Sequence, residues 1–162
     1  MRQRAAPPTS KARVVALRLL AQRRLTESQL WARLARRGYE DDEIRGAVES
    51  CKADGFVDDA LFAQLFVEGR TKEVGNARLV AELVKRGIDR DAAKRTVASA
   101  GRNEDERLGA ALAKLYRTRA GLGYASAARA LERLGFPAAA IYRHLRARAS
   151  ESGAEDFPRE SP

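Results

Sequence analysis

The chain is poor in the side chains that most often form catalytic and metal sites. Its 162 residues include one cysteine, Cys51, and one histidine, His144. A single cysteine excludes an intramolecular disulfide, and these two residues are too few for a zinc site made of Cys and His ligands. The phosphate-loop motif GxxxxGK[ST] and the nucleophile motif GxSxG are also missing. We therefore expect no catalysis, no cofactor and no metal, and a surface or partly packed position on a helix for His144.

Long apolar runs and strand-like alternation are missing as well. No stretch approaches the roughly 20 apolar residues that a membrane span requires. The first ten residues, MRQRAAPPTS, lack the apolar core of a secretory signal, so we expect a cytoplasmic protein. Val and Ile do not alternate with polar residues over a strand length, whereas Ala, Leu, Arg and Glu, which favour helices, are abundant. The predicted fold class is all-α.

Charge of one sign dominates the composition. The chain has 31 Lys and Arg against 22 Asp and Glu, which gives a net charge of +9. The excess is greatest in residues 102–150, with 10 basic against 4 acidic residues, or +6. A surplus of this size favours a polyanionic partner such as DNA, RNA or an acidic protein surface. The alternative is an arginine-rich composition that only solvates the surface.

A repeat is the most informative feature of the sequence. The segments LWARLARRGYEDDEIRGAV, LVAELVKRGIDRDAAKRTV and AARALERLGFPAAAIYRHL align on Gly38, Gly87 and Gly135, which stand 49 and 48 residues apart. Apolar residues recur at fixed offsets from each glycine: Leu34, Leu83 and Leu131; Tyr39, Ile88 and Phe136; Ile44, Ala93 and Ile141; Val48, Val97 and Leu145. This spacing predicts a helix, a tight turn with a left-handed glycine, and a second helix.

One more helix is predicted before each copy, which makes nine helices in three tandem three-helix modules. The modules cover residues 11–54, 55–101 and 102–150. They lie between a flexible basic arm at 1–10 and a disordered acidic tail at 151–162. Short connections and small module cores predict a curved, elongated body, which we expect to be a monomer.

The predicted helices carry specific expectations about their faces and starts. The preceding helices should span 11–23, 58–71 and 104–119. Their expected inward residues are Val14, Leu17 and Ala21; Leu61, Phe62, Leu65 and Phe66; and Leu108, Leu112 and Leu115. Asp58 and Asp89 are predicted N-caps, and predicted capping boxes pair Thr26 with Gln29 and Asn103 with Glu106.

Carboxylates cluster at residues 40–43, 58–59 and 104–106. A divalent-metal nuclease would need such groups to converge on one site. Each cluster, however, falls at a predicted helix start, where negative charge favours the helix dipole. We prefer the dipole interpretation. A magnesium-dependent DNA cleavage assay would distinguish a nuclease from a protein without catalysis.

Basic residues recur three or four positions apart on the predicted helices, which places them on shared faces. The candidate partner contacts are Arg33, Arg36, Arg37, Arg129, Arg133, Arg143 and Arg146, with Lys85 and Arg86 as weaker candidates in the middle module. Such stripes can meet phosphates or carboxylates, or they can only solvate a helix face. Few amide side chains accompany them, which argues against readout of base edges.

A further pattern runs through most of the chain. It comprises DGFVDDALFA at 54–63, Arg70, Gly75, Glu82-Leu83 and Arg86-Gly87-Ile88, after Arg23, Thr26 and Gln29-Leu30. Gly135-Phe136 closes it, although Leu134 replaces the usual basic residue. Over about residues 12–148 this pattern resembles the RecX family, regulators of the RecA recombinase. Its motif residues with an expected structural role are Asp58, Asp59, Phe62, Arg70, Gly75, Leu83, Gly87, Gly135 and Phe136.

The resemblance implies three tandem three-helix modules that dock in the groove of RecA filaments on single-stranded DNA. It also implies inhibition of filament growth, ATP hydrolysis and strand exchange, and hence a role in recombination, DNA repair and the SOS response. The residues leave one alternative open, a helix-turn-helix transcription factor that binds DNA directly. Titration against RecA filaments and against bare duplex DNA separates the two.

Overall fold

The structure, a computed structural model, describes residues 10–69, 73–101 and 103–151. These ranges contain nine helices and no strand, which confirms the all-α class. The helices are α1 (Lys11–Gln22), α2 (Glu27–Ala35), α3 (Asp41–Ala53), α4 (Asp59–Glu68), α5 (Asn76–Val84), α6 (Arg90–Ala98), α7 (Glu104–Thr118), α8 (Tyr124–Arg133) and α9 (Ala138–Glu151). None of these helices is long and apolar enough to cross a membrane.

Most predicted helix starts are confirmed by their hydrogen bonds. The Thr26 hydroxyl accepts from the Gln29 N–H, and the Gln29 side chain accepts from the Thr26 N–H, which completes the box at α2. Asp58 caps α4 and Asp89 caps α6 through their side-chain oxygens. These caps satisfy backbone donors that the first turn leaves without helical partners.

One predicted capping box is wrong. Asn103 caps α7, but its side chain accepts from the Asp105 N–H, two residues on, rather than from the Glu106 N–H. A short amide side chain reaches the second N–H of a helix as readily as the third, so the residue type alone does not decide between them. A box does form at α3, where Glu40 and Glu43 cap each other's backbone.

The three glycines of the repeat end helices as predicted. Gly38, Gly87 and Gly135 have φ of +80°, +91° and +86°. The N–H of the residue after each glycine donates to the carbonyl of the repeat leucine: Leu34, Leu83 and Leu131. This is the Schellman arrangement, which needs a left-handed residue that glycine adopts without steric cost.

The chain divides into two compact units. The first takes in the chain up to Phe66 together with Leu83–Thr96, and the second takes in Val67–Glu82 together with the chain from Val97. In the first unit α1, α2 and α3 pack on a core that includes Leu19, Leu30, Leu34, Ile44, Val48 and Cys51. In the second unit, α7, α8 and α9 pack on a core that includes Leu108, Leu112, Leu131, Phe136, Ile141 and Leu145. The module limits and the curvature of the body stay predictions.

Two predicted helix faces are wrong. On α1 the buried residues are Ala12, Ala16 and Leu19, whereas Val14 and Leu17 are half-buried and Ala21 is exposed. On α4 only Ala63 is buried, while Leu61 is 37% and Leu65 41% exposed. Both helices are apolar over most of their circumference, so the 3.6-residue period selects no single inward face. Ala12, Ala16 and Ala63 lie at inner positions, where their small side chains allow close approach of neighbouring helices.

Some predictions fall outside the part of the chain that the structure describes. The basic arm at 1–10 does so except for Ser10, and the acidic tail at 151–162 does so except for the backbone of Glu151. The motif residue Arg70 also lies outside the described ranges.

Candidate functional site

The N-terminus of α2 meets the turn between α5 and α6, a contact that we call the first joint. The Thr26 hydroxyl donates to the Arg86 carbonyl over 2.5 Å, and Thr26 is fully buried. Gly87 lies so close that a Cβ there would overlap Ser28. The positive end of one helix dipole therefore lies against a carbonyl at the negative end of another.

Asp59 strengthens the first joint from a third helix. Its carboxylate accepts from the Glu27 N–H over 2.8 Å, so the first residue of α4 caps the first residue of α2. Burial raises the pKa of the Asp59 carboxyl, more than this hydrogen bond lowers it. Glu27 also pairs with Lys52 over 2.5 Å, which raises the pKa of the lysine. The two motif carboxylates Asp58 and Asp59 therefore cap two different helices.

The N-terminus of α5 meets the turn between α8 and α9 in the same way, and we call this the second joint. The Gly75 N–H donates to the Leu134 carbonyl over 2.9 Å. A Cβ on Gly75 would overlap the Gly135 carbonyl, and a Cβ on Gly135 would stand 2.7 Å from the Arg78 nitrogen. Both glycines are needed because backbone lies where a side chain would be.

The second joint repeats the cap from a third helix. Glu104, the first residue of α7, accepts from the Asn76 N–H over 2.5 Å, as Asp59 does for Glu27. The buried Arg107 donates to the Val74 carbonyl over 2.7 Å and to the Asn76 side chain. Asp59 and Glu104 therefore serve the N-termini of neighbouring helices, whereas the dipole interpretation assigned them to the starts of their own helices. In the described ranges no group of three or more His, Cys, Asp and Glu side chains could hold a metal ion.

The predicted contact residues of the first unit lie at the ends of α2 and α5. Arg36 and Arg37 are exposed and donate to the carbonyls of Ala32 and Arg33 over 3.3 and 2.9 Å. These bonds hold each side chain against the last turn of α2 and leave other guanidinium donors for a partner, since each guanidinium carries five. Arg33 itself is half-buried.

Lys85 and Arg86 are in different situations. Lys85 is exposed, whereas the half-buried Arg86 holds its guanidinium 4.4 Å from the centre of the Phe66 ring. Its carbonyl is part of the first joint. Stacking on an aromatic ring and burial reduce the freedom of the guanidinium to meet a second partner, so Lys85 is the more available of the two.

The predicted contact residues of the second unit lie on α8 and α9. Arg129 and Arg133 are both exposed on α8, four residues apart. The Arg133 carbonyl accepts from Arg78 over 3.0 Å, so the second joint holds the backbone of this residue. Arg146 is exposed on α9. These three guanidinium groups face solvent on helices whose positions are determined by the core of this unit.

Arg143 differs from them because it is paired. Its guanidinium contacts the Asp105 carboxylate, which also lies 3.0 Å from Nε2 of His144. The hydrogen bond from His144, followed by that from Arg143, lowers the pKa of Asp105. His144 is 22% exposed, which is the partly packed position expected of it. No local pattern in the sequence indicates this cluster, because Asp105 and Arg143 lie 38 residues apart.

The comparisons with known proteins agree with this fold. Residues 12–51 match the family model "RecX, first three-helix domain", and residues 58–96 match "RecX, second three-helix domain". A crystal structure of RecX from Lactobacillus salivarius superposes with a TM-score of 0.75 at 18% identity, covering 86% of this chain and 95% of that one. A second crystal structure of a regulatory protein RecX also has a TM-score of 0.75, at 17% identity, covering 85% and 72%.

Curated relatives extend the likeness along the chain. "Regulatory protein RecX" of Mycobacterium avium is 42% identical over 83 residues, which is 50% of this chain and about half of that protein, at 48%. "Regulatory protein RecX" of Thermobifida fusca is 34% identical over 158 residues, covering 92% of this chain and 85% of that protein. A likeness at this level over nearly the full length is shared by members of one family, and the chain belongs to the RecX family.

Proposed function

We propose that this protein binds the RecA filament on single-stranded DNA and mainly inhibits its ATP hydrolysis, growth and strand exchange. Membership of the RecX family carries the proposal, since the resemblance of the motif residues implies RecA as the partner. The high positive charge supports it, because a nucleoprotein filament presents phosphates together with protein carboxylates. The name of the curated relatives, a regulatory protein, agrees with a role without catalysis.

The exposed basic residues at the helix ends are the proposed contacts. Arg36 and Arg37, directly after α2, and Arg129 and Arg133, on α8, are two sets of neighbouring exposed arginines. Two neighbouring guanidinium groups can meet the phosphates or carboxylates of one partner surface together. Arg33, Arg143 and Arg146 belong to the same proposed surfaces, and Lys85 and Arg86 are the weaker contacts.

The test is the double reversal Arg129→Glu with Arg133→Glu. Contacts that become desolvated would each be worth about 1.5–3 kcal/mol, and contacts that stay exposed about 0–1 kcal/mol. We expect that half-inhibition of RecA ATP hydrolysis on single-stranded DNA will need roughly tenfold more protein, or about 1.4 kcal/mol. The inhibition should also become less sensitive to salt, because fewer counterions are released.

A matched control is available on α6. Arg90 and Lys94 are also exposed and four residues apart, and Arg90→Glu with Lys94→Glu changes the net charge equally. If both double variants lose inhibition to the same extent, the effect reflects net charge and not a contact on α8. If neither changes the inhibition or its salt dependence, α8 is not part of the contact surface.

The absence of catalysis belongs to the same proposal. His144 is engaged with Asp105, and Cys51 is buried in the first core. His144→Ala and Cys51→Ser should therefore leave the modulation of RecA nearly intact at equal helicity. A loss greater than about tenfold in either variant would reveal a functional site at that residue. Tight binding to bare duplex DNA without an effect on RecA would instead favour the transcription-factor alternative.

A further inference from the structure

Tyr142 is an exposed aromatic residue in the strongly basic part of the chain. Its exposed fraction is 38%, and it is the one large apolar side chain of the second unit that is exposed among the residues described there. The other exposed large apolar side chains, Phe56, Leu61 and Leu65, belong to the first unit. Tyrosine is enriched at interfaces because its ring is apolar and its hydroxyl group can stay in water.

A second tyrosine holds this ring in place. Tyr124, the first residue of α8, stacks on Tyr142 with the ring centres 6.1 Å apart and the planes inclined by 21°. This is the offset geometry that aromatic pairs favour, and Tyr124 is half-buried against the core of its unit. The orientation of the Tyr142 ring is therefore set before any partner arrives, while its outward side stays open.

The surroundings of Tyr142 on α9 leave room for a planar group. Ala138 and Ala139, one turn before it, are exposed and carry only methyl groups. Arg146, one turn after it, lies on the same helix face and is exposed. Arg148 is engaged elsewhere, with its guanidinium 4.3 Å from the centre of the Tyr116 ring. The accessible cation beside the tyrosine pair is therefore Arg146.

From this arrangement we infer that Tyr142, supported by Tyr124, is a stacking platform for a base of single-stranded nucleic acid, with Arg146 as the partner of an adjacent phosphate. Proteins that bind single strands combine an open aromatic face with a neighbouring cation, because every base has a π face and every nucleotide a phosphate. The local charge agrees, since residues 102–150 carry 10 basic against 4 acidic residues.

Charge decides between a nucleic acid and a protein partner. The buried core of a protein interface is apolar and depleted in charged residues. The exposed charged side chains nearest to Tyr142 along α9 are instead basic: Arg143, the next residue, and Arg146, one turn later. This inference deepens the proposed function, because it rests on the presence of DNA in the filament and names the group that meets it.

The test measures direct binding of the full chain to a labelled oligothymidylate of roughly 16 nucleotides, in the absence of RecA. Tyr142→Ala should weaken binding about tenfold, and Tyr142→Phe, which keeps the ring, should bind within about twofold of the unmodified chain. Arg146→Gln should weaken binding and lower the slope of log affinity against log salt by about 0.7, whereas Tyr142→Ala should leave that slope unchanged. Phe56→Ala removes an exposed aromatic ring from the first unit and is the matched control, with no expected loss.

An abasic strand with the same phosphates separates stacking from any structural role of the tyrosine. Tyr142→Ala should have no effect on binding to that strand, since it offers no base. An equal loss on the abasic and the thymidine strands would overturn the inference, and so would no loss on either. A Tyr142→Ala variant with normal oligothymidylate binding but weakened RecA inhibition would assign the ring to a protein contact instead. The binding assay contains no RecA, so its failure leaves the RecA proposal standing.

Discussion

The substitution Gly135→Ala tests whether the second joint holds its unit together. Two effects would act on the alanine. The φ of Gly135 is +86°, a left-handed conformation that is strained for alanine. The Cβ of the alanine would also stand 2.7 Å from the Cβ and the backbone nitrogen of Arg78. Gly38 provides the control, because its φ is +80° but nothing lies within 4 Å of a Cβ placed there. The same substitution at both positions therefore separates the joint from the strain of the turn.

The expected magnitudes follow from these two effects. The left-handed strain is about 1–2 kcal/mol, partly offset by the reduced entropy of the unfolded chain, so Gly38→Ala should cost about 1 kcal/mol. At Gly135 the start of α5 must also move away. This movement weakens the hydrogen bonds from Gly75 to Leu134 and from Arg78 to Arg133, at about 1 kcal/mol each. Gly135→Ala should therefore cost about 3 kcal/mol in total.

The assay is urea unfolding of both variants, followed by far-ultraviolet circular dichroism and by the fluorescence of Trp31. Trp31 is the one tryptophan of the chain and packs against the core of the first unit, so it reports on that unit alone. Gly135→Ala should lower the free energy of unfolding by about 2 kcal/mol more than Gly38→Ala, with a melting temperature lower by roughly 4–8 °C. Equal losses in the two variants would refute the idea that close packing at the second joint stabilises the protein.

Three further predictions follow from single residues. Gly46 lies inside α3 with open space around it, so Gly46→Ala should raise the free energy of unfolding by about 0.5–1 kcal/mol in the same urea assay. Cys51 is buried and burial raises the pKa of its thiol, so labelling by a thiol reagent should be slow in the native protein and fast in urea; prompt native labelling would contradict this packing. Burial also raises the pKa of Asp59, which makes its ionised form unfavourable in the folded state. Asp59→Asn, which can still accept from the Glu27 N–H, should raise the melting temperature at pH 7, and this gain should shrink as the pH falls towards about 4.

The repeat made most of the helical architecture predictable from sequence. Leu34, Leu83 and Leu131 are fully buried, and each of the three repeat glycines has a positive φ. These features are local, because an apolar spacing of three or four residues and a glycine stop act within one helix and its turn. The buried faces of α1 and α4 were not predictable, because apolar residues surround most of each helix and their spacing selects no single face.

The two joints could not be predicted from local sequence patterns, because their contacts join residues far apart in the sequence. Thr26 donates to a carbonyl 60 residues later, and the carboxylate of Asp59 accepts from an N–H 32 residues earlier. Thr26 caps its own helix as predicted, but its hydroxyl group also donates to the turn between α5 and α6. Similarly, the acidic residues were attributed to their own helix dipoles, whereas Asp59 and Glu104 cap other helices. The stacking of Tyr124 on Tyr142 could not be anticipated either, because the two lie on different helices and both also occupy ordinary helical positions.

The joints give the chain a direction that could be used in design. Each joint consists of two unlike halves, a helix N-terminus and a glycine turn. A further three-helix module can therefore be joined to the chain in one orientation only. A Cβ placed on Gly38, or on Gly123 at the start of α8, would have no neighbour within 4 Å among the described residues, so neither glycine takes part in a joint of this kind. A helix start redesigned to fit the turn at Gly38 should therefore dock there in one orientation only, and a side chain that blocks the turn should prevent the docking.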